Sequence, residues 1–188
     1  MKNKNVLFMT RGAMIAAAYV VLLMVFAPFG FGGVQVRIAE MLTILPFFSF
    51  AAVPGVFLGC LIGNILGGCA LPDVIFGSLT TLVAAFLTYG IGKMARSLNY
   101  GSLPTAESKG PSGNKKMSGT LFWLILASIP PIVLNALVIP FILRYAYGEP
   151  LPIPFLMLTV GLGEVISCGV FGVVLGQALK RKNLLMDA

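Results

Sequence analysis

At 188 residues, with 58% apolar side chains and only 10% charged ones, the chain cannot be a water-soluble domain, which needs roughly 25% charged residues to cover its surface. A mean hydropathy of +0.97 belongs to a protein that crosses a lipid bilayer several times, and the length leaves room for one compact unit. The formal charge of +7 does not point to nucleic acid, because the basic residues sit at the ends of apolar runs and form no interleaved basic and aromatic patch.

The first apolar run covers residues 6–29, follows Lys2 and Lys4, and is interrupted by Arg11. A signal peptide has such a basic start, but this run exceeds the usual apolar region and shows no clear small-x-small cleavage site before Pro28. It reads as a retained span. Residues 29–33 then predict a flexible turn. From Val34 to Leu71 the chain is almost continuously apolar. As one helix that stretch would be about 57 Å long, far beyond a hydrocarbon core of about 30 Å. It must fold back once, and residues 49–54 are the place, since Pro54 suits the first turn of a new helix. The two halves, 34–50 and 53–71, are short for full spans and leave a re-entrant pair open. Either way the chain returns to its starting side.

Residues 74–94 predict the fourth span, closed by Lys93 and Arg96. Residues 97–119 are polar, rich in Gly, Ser and Pro, and read as a solvated loop. A fifth span, 120–143, is expected to bend near Pro130 and Pro131, and a sixth, 155–179, ends in Lys180, Arg181 and Lys182. The expectation is an all-α membrane protein, a single integral domain over residues 1–188, folded as a bundle of six transmembrane helices. Its orientation follows from the basic residues. The side holding both termini and the 97–119 loop collects eleven of the thirteen, leaving Arg37 and Arg144 for the other. Both termini and the loop are therefore expected to be cytoplasmic, in a multi-pass protein of a bacterial plasma membrane.

Placed by depth, the remaining polar residues gather in the outer half. Gln35, Arg37 and Glu40 open the second span, Asn64 lies in the third, Asp73 opens the fourth, and Asn135 lies in the fifth. Glu164 falls roughly 14 Å inside the outer start of the sixth. A charge at that depth costs at least about 2.5–3.5 kcal/mol on insertion scales, so it marks a cavity, a partner or a function. The competing reading is a structural contact to Asn135 or a backbone donor. Asn135 and Asn64 also suit the hydrogen-bonding glue of packed spans. Glu40 has Arg37 three residues before it, so an interfacial ion pair competes with a ligand contact. Asp73, after Pro72, reads as the cap of span four. Phe47, with Phe26, Phe29, Phe48 and Phe57, is expected to face the outer pocket, where the rings can stack on a planar ligand. Trp123 reads as an interface-belt residue.

Cys60, Cys69 and Cys168 lie in apolar runs without metal-ligand spacing and read as small packing groups; no metal and no cofactor is expected. Gly55, Gly59, Gly63 and Gly67 recur every four residues and predict a face for close helix approach. Ala13 and Ala17 give span one a small-residue face that suits packing inside the bundle or docking of another membrane subunit. The chain has no histidine, no phosphate-binding glycine loop and no core lysine. It is therefore read as no enzyme, and as no pump that hydrolyses ATP by itself.

In order and spacing, several stretches are similar to a known family: Val34-Gln35-Val36-Arg37-Ile38-Ala39-Glu40 with Leu45-Pro46-Phe47-Phe48, then Pro54 to Cys60 with Asn64, Leu71-Pro72-Asp73, Asn135-Ala136-Leu137 and Gly163-Glu164. They resemble the QueT family, queuosine-precursor substrate-binding (S) components of energy-coupling-factor transporters, over nearly the whole chain except residues 97–119. The resemblance implies a six-helix bundle that binds a 7-deazaguanine base near the outer surface. It also implies partners: a transmembrane coupling subunit, contacted through Ala13 and Ala17, and two cytoplasmic ATPases. By the same resemblance Glu164, Asn135, Glu40, Arg37 and Asn64 surround the ligand. Three alternatives stay open: an S component for another vitamin-like solute, a stand-alone proton-coupled carrier with Glu164 as the proton site, and a non-transporting assembly factor.

Overall fold

The computed structural model describes residues 4–30, 36–100 and 113–181. Among them every regular element is helical. Helix α1, Lys4–Val25, is followed by a single turn, α2, Ala27–Gly30. A 3-10 helix, Ile38–Phe47, comes next, then α3, Ala52–Leu66. A π-helical stretch, Asp73–Gly77, leads into α4, Ser78–Ala95. Helix α5, Gly113–Ala146, contains Pro130, Pro131 and Pro140. Helix α6, Ile153–Glu164, is joined by a π stretch, Val165–Gly172, to α7, Val173–Arg181.

Four rods are long and apolar enough to cross a membrane: Lys4–Val25, Asp73–Leu98, Gly119–Ala146 and Ile153–Lys180. The 3-10 helix and α3 are shorter apolar elements. Ten residues of 3-10 helix rise about 20 Å and fifteen of α-helix about 22 Å, both under a core of about 30 Å. Helical structure also enters the polar 97–119 stretch from both sides, through Arg96–Tyr100 and the first turns of α5. Residues 101–112 lie outside the described residues.

The ends of the rods sort by charge. Phe8 stacks near Phe50, with ring centroids 6.1 Å apart. Arg96 Nη1 donates to the Phe47 carbonyl at 2.7 Å, and Lys180 reaches the Thr120 hydroxyl. The start of α1, the turn before α3, the end of α4, the start of α5 and the end of α7 thus share one end of the bundle. At the other end the Tyr147 hydroxyl accepts from the Ala70 N–H at 3.0 Å.

Helices α1 and α3 run side by side in the same direction, and glycines set their spacing. A Cβ on Gly59 would stand 2.6 Å from Tyr19 Cβ, and one on Gly63 would stand 2.6 Å from Leu23 Cδ2. Gly67 leaves this face and instead ends α3, its N–H bonded to the Gly63 carbonyl at 2.8 Å. The four-residue stripe therefore packs through three of its members. Gly92 lets α4 cross the end of the 3-10 helix, where an added Cβ would lie 2.2 Å from the Phe47 oxygen.

Polarity is distributed as a bilayer requires. Large apolar side chains such as Val21, Leu66, Phe76, Leu87, Phe122, Leu158 and Val174 stand exposed, whereas Glu40, Asn64, Asp73, Thr81, Thr88, Glu164 and Ser167 are buried. A protein in water would avoid so much exposed apolar surface. Lipid covers it at no cost, while polar groups in the membrane must find partners inside.

Candidate functional site

The site begins with the winding of the 3-10 helix. With three residues per turn, side chains at i and i+3 eclipse, so Arg37, Glu40, Thr43 and Pro46 form one row. All four turn inward: Arg37 is 6% exposed, Glu40 and Thr43 1% each, and Pro46 is fully buried. The row is tied along the backbone by the Glu40 N–H on the Arg37 carbonyl at 2.9 Å. The Thr43 hydroxyl donates to the Glu40 carbonyl at 2.6 Å.

Around Glu40 and Glu164, four further elements converge. From α1, the Tyr19 hydroxyl donates to Glu40 Oε1 at 2.5 Å. From α5, Asn135 Nδ2 donates to Glu164 Oε1 at 2.9 Å. Glu164 closes α6, and from the π stretch just beyond it the Cys168 thiol lies 3.2 Å from Glu164 Oε2 and 3.3 Å from the Glu40 carbonyl. Ligand atoms of Glu40, Glu164 and Cys168 all lie within 4.8 Å of one another. Glu40 Oε2 and Ser167 Oγ are buried without a hydrogen-bond partner.

A second knot lies toward the end of the bundle that carries Tyr147. Arg37 Nη2 pairs with Asp73 Oδ2 at 3.1 Å, and the Tyr147 hydroxyl donates to the same oxygen at 3.0 Å. Burial, and after it the Asp73 charge, push the Tyr147 phenol above its ordinary range. Asn64 Nδ2 approaches the Asp73 carbonyl at 3.5 Å and Cys60 Sγ at 3.6 Å.

The structure therefore brings Glu40, Glu164 and Asn135 into one cluster, and Arg37 and Asn64 into contact with Asp73. It does not bring Phe47 there. Phe47 packs edge to face on Phe48 with centroids 5.1 Å apart, at the end where Arg96 holds its carbonyl. The cause is its place as the last residue of the segment, at the end away from Arg37. Asp73 forms no side-chain cap; its carboxylate is taken by Arg37 and Tyr147 instead. Cys60 and Cys168 are buried as expected, but they also join polar contacts, Cys60 accepting from Thr81 at 3.5 Å. Tyr19, Thr43, Cys168 and Tyr147 were missed as site residues. Spacing carried a signal for two of them, Thr43 three residues after Glu40 and Cys168 four after Glu164. Ala13 and Ala17 stand exposed on α1, about 100° around the helix from the buried Gly12 and Ala16.

Electrostatically the region is short of positive charge. Three carboxylates, Glu40, Asp73 and Glu164, share it with one guanidinium, and each of the four is at most 6% exposed. Two ionised carboxylates within 4.8 Å would repel by about 3–4 kcal/mol at an effective dielectric of 20. Hydrogen-bond donors or positive charge between them relieve that strain. Glu40, Glu164 and Cys168 are also the group that could hold an ion, although two hard oxygens and one soft thiol make a mixed ligand set.

Fold and site together define a polytopic membrane protein with a sealed polar centre built from both short and long helical elements. The chain belongs to the QueT transporter family, whose model matches residues 9–181. A queuosine precursor transporter QueT from Lactococcus lactis subsp. cremoris (strain MG1363) is 40% identical over 81 residues, which cover 42% of this chain and 46% of that protein. The chain thus aligns with less than half the length of this curated relative. No solved structure matches it significantly.

Proposed function

We propose that the chain is the substrate-binding S component of an energy-coupling-factor importer, capturing a queuosine precursor of the 7-deazaguanine type at the outer face of a bacterial plasma membrane. In this reading the chain crosses the membrane six times with both termini in the cytoplasm. A transmembrane coupling subunit docks on the Ala13 and Ala17 face, and two ATPases drive uptake. The observation that carries the reading is the convergence of Glu40, Glu164 and Asn135 from three separate elements. A guanine-like edge offers adjacent N–H donors to a carboxylate and an acceptor to an amide, which complements a centre rich in carboxylates and poor in cations. Arg37 and Asn64 would border the ligand through the Asp73 knot. Family membership and the name of the Lactococcus relative support the substrate class.

The test is mass spectrometry of small molecules that co-purify with the protein, followed by calorimetric titration with the base found. A 7-deazaguanine is expected, and its absence together with no measurable binding would overturn the reading. The close pair of carboxylates favours one rival, a stand-alone proton-coupled carrier. Uptake by vesicles containing this chain alone would establish that rival, whereas uptake that requires the coupling subunit and ATPases supports the S component.

A further inference from the structure

We infer that Tyr19 is a positioning residue of the carboxylate centre: by binding Glu40 Oε1 it fixes the carboxylate and leaves Oε2 to accept a ligand N–H. The inference rests on the functional reading above, which gives Glu40 a ligand contact and Tyr19 no role. A glutamate does not orient its own carboxylate, because its terminal torsion has only a broad, two-fold preference. Tyr19 supplies that orientation with a hydroxyl 2.5 Å from Oε1, a length proper to an O–H donor on an ionised carboxylate. The other oxygen, Oε2, is buried and has no hydrogen-bond partner among the described residues. The Thr81 hydroxyl lies near Glu40, but its acceptors are the Gly77 carbonyl at 3.2 Å and the Cys60 sulfur at 3.5 Å. A buried polar atom is costly to leave unpaired, so Oε2 is the atom of Glu40 that a ligand donor would satisfy.

Packing makes the tyrosine fit for this task. Tyr19 is fully buried, and its stem lies in the notch left by Gly59, where an added Cβ would stand 2.6 Å from Tyr19 Cβ and 3.0 Å from Cγ. Two side-chain torsions place the whole ring. With the stem gripped between α1 and α3, the spacing of those helices sets where the hydroxyl stands. Supports locked by packing in this way hold a binding group in its productive geometry. Glu164 has a comparable anchor from α5, Asn135 Nδ2 at 2.9 Å. Each carboxylate of the centre is thus held through one oxygen by a side chain from another helix.

The test uses the full-length protein in a neutral detergent, titrated calorimetrically with 7-deazaguanine. Tyr19→Phe should lower affinity about tenfold. Infrared spectroscopy reads the support itself: the chain has six Asp and Glu side chains, and Glu40→Gln identifies the Glu40 carboxylate band by its loss. Tyr19→Phe should shift that band in the ligand-free protein, which a general loosening of α1 against α3 would not do. 4-Aminophenylalanine in place of Tyr19 keeps an N–H donor at the same position and should restore most of the affinity. 4-Methylphenylalanine there is similar in size but has no donor, and should not. Unchanged affinity in Tyr19→Phe, an unmoved Glu40 band, or equal affinities with the amino and methyl rings would overturn the inference. The two substituted rings decide it even where Tyr19→Phe fails to fold. An unaltered chain that binds no 7-deazaguanine would overturn the functional reading and this inference with it. Binding by the unaltered chain that is indifferent to Tyr19 overturns the inference alone.

Discussion

Replacing Glu164 by Gln isolates charge from shape at the centre of the bundle. The side chain keeps its length, and its remaining carbonyl oxygen can still accept from Asn135 Nδ2, which donates at 2.9 Å to Glu164. The new amide faces the Cys168 sulfur, a weak acceptor, and the thiol keeps its donation to the Glu40 carbonyl at 3.3 Å. The internal network therefore survives, and the repulsion that two ionised carboxylates would feel there, at most about 3–4 kcal/mol, cannot arise. What disappears is a charge-assisted acceptor for ligand N–H groups, worth about 1.5–3 kcal/mol. Affinity for a 7-deazaguanine should fall roughly ten- to a hundred-fold, while the thermal midpoint of the ligand-free protein stays level or rises. Calorimetric titration and thermal unfolding of the same preparation read both quantities. Unchanged affinity in a well-folded Glu164→Gln protein would refute the assignment, leaving Glu164 as an internal strut and moving the ligand contact to Glu40.

Other expectations follow from named contacts. In a Cys69→Ser background, cysteines at Leu98 and Glu149 should label from opposite faces of intact cells, with Leu98 inside; labelling from one face would contradict the proposed topology. Leucine at both Ala13 and Ala17, exposed on α1, should abolish uptake in the presence of the coupling subunits while ligand binding persists. A parallel loss of binding would make that face internal. Gly59→Ala would force a Cβ to 2.6 Å from Tyr19 and should destabilise the fold by about 1–3 kcal/mol, visible as a lower unfolding midpoint. Tyr147→Phe removes a hydroxyl bonded to Asp73 and Ala70 and should cost about 0.5–1.5 kcal/mol. An unchanged midpoint would show that Asp73 is held by Arg37 alone.

The long spans and the burial of Glu164 were legible because a bilayer leaves few solutions for apolar runs and buried charge. Asn135 was legible by the same depth argument, and the two residues do meet. The row Arg37, Glu40, Thr43 was not. A spacing of three is compatible with an ordinary helix as well as a 3-10 helix, and only tertiary packing decides between them. Phe47 was misplaced for a simpler reason: as the last residue of the segment it lies at the end away from Arg37 whichever helix forms. Asp73 was misread for a different reason: a carboxylate after proline at a helix start looks like a cap, and its true partner Arg37 lies 36 residues away in sequence. Tyr19 gave no local sign at all, because a tyrosine in an apolar run reveals a partner only when the facing helix is known. Cys168 was hidden by the habit of counting cysteines as packing.

The tight winding of the segment Ile38–Phe47 also makes it a gauge of the site. Rewound as an α-helix, the same ten residues would shorten from about 20 Å to about 15 Å. Each step of three residues would then rotate by about 300° instead of a full turn. Glu40 would swing about 60° relative to Arg37, so Tyr19 and Asp73 could no longer hold both at once. Pitch and polar contacts are therefore one variable. Any event that pulls the ends of this segment together must also open the carboxylate centre, and any ligand that fixes the carboxylates must fix the length of the segment.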